Sequence, residues 1–138
     1  MKLAIACVLG LVALLAGCET PVSSAVTDAN KQLEAKGSPF RYVARDDSSM
    51  VMTLLPLPAG KTRAVPELAQ QVIDAIANEE RKKGRPTALL EEVRYLQDGR
   101  EVWVLQSLSG GIAYVVAFAN PSQAGSDMRI TGPTTYQR

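Results

Sequence analysis

The chain has 138 residues, with 15 basic and 14 acidic side chains, and a formal net charge of +1 at neutral pH. This near balance argues against electrostatic attraction to nucleic acid or to another strongly charged partner. Histidine is absent and cysteine occurs twice, which excludes Ser–His and Cys–His catalytic dyads and removes most zinc sites. We therefore expect no metal site and no cofactor.

The N-terminal segment has the pattern of an export signal. Met1-Lys2 gives a positive start, and the run from Leu3 to Ala16 is apolar and uncharged over 14 residues. A bilayer-spanning helix needs about 20 residues, whereas the apolar region of a signal peptide has this shorter length. The run closes on Leu15-Ala16-Gly17-Cys18, which is an aliphatic residue and two small residues before a cysteine.

This pattern resembles the lipobox of bacterial lipoprotein precursors, and the resemblance covers residues 1–19. It implies a diacylglyceryl group on Cys18, cleavage between Gly17 and Cys18, and a further acyl chain such as palmitate on the new amine. An ordinary secretory signal, or an N-terminal anchor with an incidental Cys18, is the alternative. Cleavage would leave 121 residues, enough for one domain. It would also remove Cys7, so the domain would depend on its core and not on disulfides.

The first part of the mature chain predicts a helix and a hairpin. Apolar residues at helical spacing indicate a weakly packing helix from about Val22 to Lys36, with a flexible tether as the competing interpretation. Alternation in Phe40–Arg45 and the apolar run Met50–Leu55 predict two strands, joined by a turn at Asp46–Ser49. Residues 56–60 are interpreted as a loop.

The clearest helix follows this loop. It is expected to begin at Pro66 and to end near Gly84, with Arg81-Lys82-Lys83 at the negative end of its dipole. Ile73 and Ile76 are expected to lie in the middle of its buried stripe. The predicted stripe comprises Val65, Leu68, Ala69, Val72, Ile73 and Ile76.

Four strands are predicted in the remainder of the chain. Asp98-Gly99 predicts a tight turn in which both residues have positive φ. The nearly all-apolar third strand is expected inside the sheet and covered on both faces. The last strand is expected at an exposed edge and to stop at Gly132-Pro133. The predicted ranges are Leu89–Leu96, Glu101–Leu108, Ile112–Phe118 and Met128–Thr131.

Together these elements predict an α+β fold with the order αββαββββ. Hairpin connections favour a mainly antiparallel sheet with the helices on one face, which is a two-layer sandwich. We divide the chain into a signal peptide (1–17), a lipidated cysteine with tether and weak helix (18–38), an α+β domain (39–133) and a polar tail (134–138).

Three pairs of adjacent carboxylates and two serines are the candidates for catalytic chemistry. Paired carboxylates can hydrolyse glycosides, but neighbouring residues on a helix or strand point in different directions. We therefore interpret Asp46-Asp47 as part of a turn, Glu79-Glu80 as a solvated helix end, and Glu91-Glu92 as the start of a strand. Ser107 and Ser109 lie beside Gly110-Gly111, without a histidine base or a nucleophile-elbow motif.

Aromatic and basic residues have structural interpretations as well. Core packing is the more economical use of Tyr95, Trp103 and Tyr114 than an exposed binding row. The cluster of Arg81-Lys82-Lys83 with Arg85 fits compensation of the helix dipole, and the alternative is contact with lipid phosphates.

The sequence thus predicts a lipid-anchored protein of the cell envelope that faces the periplasm, at the outer rather than the inner membrane. We expect Cys18 to hold it in the bilayer and the domain to be a non-enzymatic binding or assembly module, such as an accessory or pilotin-like subunit with an envelope protein partner. The predicted partner-binding edge is Met128, Arg129, Ile130 and Thr131. Alternatives are an inhibitor of cell-wall hydrolases, or an envelope hydrolase that uses carboxylates among Asp46, Asp47, Glu91, Glu92 and Glu101.

Overall fold

The structure is a computed structural model that describes residues 21–86, 88–108 and 110–138. The predicted signal peptide, Gly17 and Cys18 lie outside these residues. Two helices and seven strands follow one another along the described chain. They are α1 (Pro21–Ala35), β1 (Phe40–Ala44), β2 (Met50–Leu54), β3 (Ala59–Gly60), α2 (Pro66–Lys82), β4 (Leu90–Tyr95), β5 (Glu101–Leu105), β6 (Gly111–Phe118) and β7 (Met128–Tyr136).

The strands form two antiparallel sheets. One sheet is the β1–β2 hairpin, and the other has five strands in the order β3-β4-β5-β6-β7. The prediction of an α+β fold with antiparallel pairing is confirmed. The predicted element order and the two-layer sandwich are not, because the short strand β3 lies in the expected loop and the hairpin is a separate sheet.

Helix α2 covers one face of the five-stranded sheet. Its buried residues Leu68, Val72, Ile76 and Glu80 recur every four positions, and they lie against a core that includes the cross-strand pair Trp103–Tyr114. The prediction that Ile73 is buried is wrong, because 40% of this residue is exposed. Residues four positions apart form a narrow buried stripe along α2. Ile73 follows Val72 directly and is therefore rotated from this stripe by about 100°, toward solvent.

The opposite face of the sheet packs against the β1–β2 hairpin. Val102, Val104 and Ala113 point to this side and form a second core with Phe40 and Tyr136. Strand β6 is therefore interior in the sheet and contributes alternate side chains to both cores. The prediction that this apolar strand is covered on both faces is confirmed.

Helix α1 packs at the outside of the hairpin. The carboxamide of Asn30 accepts a hydrogen bond from the Tyr42 backbone N–H at 2.7 Å and donates one to the Tyr42 carbonyl at 2.9 Å. None of the residues of α1 is fully buried. The predicted helix is confirmed within one residue at each end, and its packing is as weak as the small side chains suggested.

The turn between β4 and β5 differs from the prediction. Gly99 has a φ of 91°, but no residue other than glycine in the described chain has a positive φ, so Asp98 does not take the expected conformation. The Leu96 N–H donates to the Arg100 carbonyl at 2.9 Å, and the Gly99 N–H donates to the Leu96 carbonyl at 3.1 Å. This is a three-residue loop that ends in a left-handed glycine, a common alternative to the two-residue turn.

Strand β7 is longer than predicted, because it continues through Gly132-Pro133 to Tyr136. The expected polar tail therefore begins inside a strand. A register shift between Ala113 and Val115 accommodates the interruption. Tyr136 is buried at the end of this strand and anchors its second half. Its ring centroid lies 6.1 Å from that of Phe40.

Ile76→Ala and Ile73→Ala test which side of α2 is buried. Ile76 is 5% exposed, so its truncation should lower the free energy of unfolding by about 2–5 kcal/mol. The matched change at Ile73 should cost no more than about 1 kcal/mol, because this side chain is substantially exposed. Urea unfolding of both variants measures the difference. Equal losses would mean that α2 is rotated from this position.

Candidate functional site

The predicted partner-binding edge lies on β7, the last strand of the five-stranded sheet. Met128, Arg129, Ile130 and Thr131 form the first half of this strand. One side of this half pairs with β6, and no strand of the described chain pairs with the other side. The four residues therefore lie on an edge strand.

The backbone groups of this half alternate in direction. The Ala119 N–H donates to the Asp127 carbonyl at 2.8 Å, and the register continues from this pair to Thr131 without a shift. Hydrogen-bonded and non-hydrogen-bonded pairs alternate along an antiparallel ladder. The N–H and C=O groups of Met128 and Ile130 therefore point away from β6, toward the outer edge.

The side chains alternate as well. Met128 and Ile130 are half-buried against the α2-side core, whereas Arg129 and Thr131 are exposed. Within the described part of the chain, the Arg129 guanidinium has no ion pair. An added strand would thus meet two sets of main-chain groups, together with an uncompensated cation and a hydroxyl that can contribute to selectivity.

The second half of β7 is less open. The Gln137 N–H donates to the Met52 carbonyl at 2.8 Å, and Gln137 forms a parallel bridge with Thr53 of the hairpin. Pro133 has no N–H to offer to a partner. The open part of the edge is therefore limited to the segment before Gly132.

Two carboxylates, those of Glu80 and Glu101, are buried in the interior, although neither was predicted to be a core residue. Glu101 is 0% exposed and accepts hydrogen bonds from Thr62 Oγ1 at 2.8 Å, the Arg63 backbone N–H at 2.8 Å and Trp103 Nε1 at 2.9 Å. These bonds attach the segment before α2 to the start of β5. Because Glu101 is fully buried and its carboxylate accepts three hydrogen bonds, it has a structural role and is not accessible to a ligand.

Glu80 connects α2 to the sheet. It is 1% exposed and accepts hydrogen bonds from Arg85 Nε at 2.5 Å, Arg85 Nη2 at 3.0 Å and the Tyr114 hydroxyl at 2.5 Å. The bonds from Arg85 hold the pKa of Glu80 below its ordinary range, against the opposing effect of burial. Burial and this carboxylate raise the pKa of Tyr114 well above its ordinary value, so the phenol remains a donor.

The prediction that Glu79-Glu80 is a solvated helix end is therefore wrong for Glu80, and correct only for Glu79. The spacing of the sequence could have predicted that Glu80 is buried. It lies four residues after Ile76 and so continues the ridge formed by Leu68 and Val72.

The remaining carboxylates of interest have separate local partners. The N–H of Ser48 and its neighbours lower the pKa of Asp46 to about 2, which fits the predicted turn. Glu91 pairs with Arg138, and Glu92 pairs with Arg94 at 2.5 Å. The structure thus places these side chains in a turn and in two different surface ion pairs, and it keeps Glu101 inside the protein.

The aromatic side chains follow the structural interpretation. Trp103 and Tyr114 are each 1% exposed, which confirms core packing for both. Tyr95 is half-buried, and its hydroxyl donates to the Lys61 carbonyl while the Arg63 guanidinium lies 4.5 Å from its ring centroid. Ser107 lies in the loop after β5, and Ser109 lies outside the described residues.

In the described ranges, no group of three or more Asp, Glu, His or Cys side chains is arranged to hold a metal ion. No helix there combines the length and apolar character needed to cross a membrane.

Comparison with known proteins yields no relative. No protein-family model matches the chain, and no curated protein or solved structure is significantly similar to it.

Glu80→Gln tests the buried charge through its pH dependence. The folded-state pKa of Glu80 lies below its ordinary value of 4.5, so the ionised group stabilises the fold above that value and loses this effect as the pH falls. The variant should lose about 1.5–3 kcal/mol near neutral pH. Its deficit relative to wild type should shrink as the pH falls below the ordinary value, as measured by urea unfolding.

Glu79→Gln is the matched control for this experiment. The Glu79 side chain is 46% exposed and pairs with Lys82, so its replacement should cost about 1 kcal/mol or less. A deficit of Glu80→Gln that stays constant between neutral and acidic pH would contradict the assigned protonation state.

Proposed function

We propose that this protein is a bacterial lipoprotein, anchored through acylated Cys18, whose domain is a binding or assembly module of the cell envelope. The sequence that supports the anchor is Leu15-Ala16-Gly17-Cys18 after its apolar run. In this proposal the domain faces the periplasm at the outer membrane and serves as an accessory or pilotin-like subunit. It performs no catalysis of its own.

The observation that carries the binding role is the open edge of β7. The outward backbone groups of Met128 and Ile130 can accept a strand from an envelope protein, and the main chain would supply most of the affinity. The exposed Arg129 side chain would select a partner with an acidic residue opposite it. A fully covered β6 and a β7 tied down at its C-terminal end give this edge a rigid support.

Cys18→Ser tests the anchor. Metabolic labelling with a palmitate analogue should mark the wild-type protein and leave the variant unlabelled, because the thiol is the site of diacylglyceryl transfer. Cys7→Ser is the matched control and should be labelled like wild type, since Cys7 would be removed with the signal peptide. Equal labelling of wild type and Cys18→Ser would refute the lipoprotein assignment.

Ile130→Pro and Ile130→Ala together test the edge. Both changes remove the half-buried side chain, but only proline removes the outward N–H, and neither interferes with a β6 hydrogen bond. Loss of one backbone bond is worth about 0.5–1.5 kcal/mol. Crosslinked recovery of envelope partners should therefore fall about twofold to tenfold in the proline variant relative to the alanine variant.

The comparison requires that both variants remain folded, which urea unfolding shows directly. Equal recovery by the two variants at equal stability would mean that this edge does not bind the partner.

A further inference from the structure

A second surface combines basic and apolar residues at the C-terminal end of α2. Arg81, Lys82 and Lys83 are exposed there, and Arg85 follows at the rim of an open groove of about 770 Å³. Leu108 lines the same groove. We call this surface the basic–leucine end, and it comprises Arg81, Lys82, Lys83, Arg85, Leu89 and Leu108.

The two leucines belong to adjacent loops and are the most exposed large apolar residues described. Leu89 is 63% exposed, and Leu108 is fully exposed. The Gln106 N–H donates to the Leu89 carbonyl at 2.8 Å, which holds the two loops side by side. Single exposed leucines need no explanation, but two on neighbouring loops beside a basic cluster form a local amphipathic surface.

The charges at this end are only partly neutralised within the protein. Lys82 pairs with Glu79 at 3.0 Å and Arg85 pairs with Glu80. The Arg81 guanidinium instead contacts the neutral Asn78 side chain at 3.4 Å, and Lys83 has no ion pair with a described residue. Two cations therefore remain available to external anions, in addition to any compensation of the helix dipole.

The geometry points to an anionic phospholipid surface as the ligand of the basic–leucine end. Protein–protein interfaces are enriched in aromatic residues and arginine and depleted in lysine. This end contains two lysines beside its two arginines, and none of the described residues that line its groove is aromatic. Lipid phosphates complement Arg81 and Lys83, and the leucine side chains can enter the boundary between headgroups and acyl chains.

This inference rests on the proposed lipid anchor, which would hold the N-terminus of α1 at a membrane. Three Cα–Cα steps separate Cys18 from Pro21, the first residue of α1, and they span at most about 11 Å. That length is close to the screening length of roughly 8–10 Å at physiological salt. The N-terminus of α1 would thus stay within about one screening length of the headgroups, and the domain that follows it would remain at the membrane.

Vesicle binding of the full chain carrying Cys18→Ser tests the surface without any acyl chain. The probes are vesicles of phosphatidylcholine alone and vesicles with about 30% phosphatidylglycerol, since each basic residue near an anionic surface adds about 1 kcal/mol. The unmodified surface should bind the anionic vesicles more tightly. Arg81→Gln with Lys83→Gln should reduce that affinity roughly tenfold to thirtyfold, and raised salt should reduce it as well.

Two further variants separate the apolar and the charge contributions. Leu108→Ser should weaken binding to the anionic vesicles by about fivefold, as expected for partial burial of one leucine. Lys31→Gln with Lys36→Gln removes two exposed charges from α1 and its C-terminal end, and it should leave vesicle binding unchanged. The apolar signal segment is common to all variants, so the differences between variants report on the residues that were changed.

Equal affinity for both vesicle compositions would overturn the inference, and so would an equal loss from the Lys31 and Lys36 changes. Unchanged binding in the Arg81 and Lys83 variant would also overturn it and leave a protein partner as the ligand of this end. Because the Cys18→Ser chain cannot be acylated, these results are independent of the palmitate labelling that tests the anchor.

Discussion

The β5–β6 pair is apolar on both faces, and the rest of the domain is arranged to cover it. Trp103 and Tyr114 point to one side, and Val102, Val104 and Ala113 point to the other. A strand pair of this kind cannot leave either face in water without exposing a large apolar area. Helix α2 covers the first face and the β1–β2 hairpin covers the second, so the domain needs both elements even though the hairpin forms its own sheet.

The two buried carboxylates fix these parts in position where apolar packing alone would allow sliding. Glu101 receives three hydrogen bonds that join the segment before α2 to β5. Glu80 receives bonds from Arg85 and Tyr114 at the other end of the helix. A buried ion is costly unless its acceptors are satisfied. Because the donors of Glu80 and Glu101 come from different elements, any shift of α2 along the sheet would leave a carboxylate short of partners.

Periodic patterns in the sequence predicted most of the helices and strands. The positions that these patterns predicted wrongly depend on contacts between elements. The spacing in α2 and the apolar run of β6 required only local information. Ile73 fits the helical stripe by type, but it is rotated by about 100° from Val72 and so lies outside the buried ridge. Glu80 reads as polar, yet its position on the ridge places it beside Tyr114. Tyr136 follows Gly-Pro in a polar segment, and only the pocket formed with Phe40 explains its burial.

The open edge of β7 carries several features that limit indiscriminate strand pairing. A long, flat and apolar edge would recruit other copies of the chain. Here Pro133 and the register shift interrupt the strand, Gln137 ties its end to the hairpin, and Arg129 places a charge on the exposed half. The remaining open segment is short, which disfavours pairing with other copies, and it offers two outward-facing residues. If the proposed anchor holds the domain at the bilayer, a partner in the same membrane meets this edge at high effective concentration. A short edge then suffices, because the membrane supplies the proximity that a larger interface would otherwise have to provide.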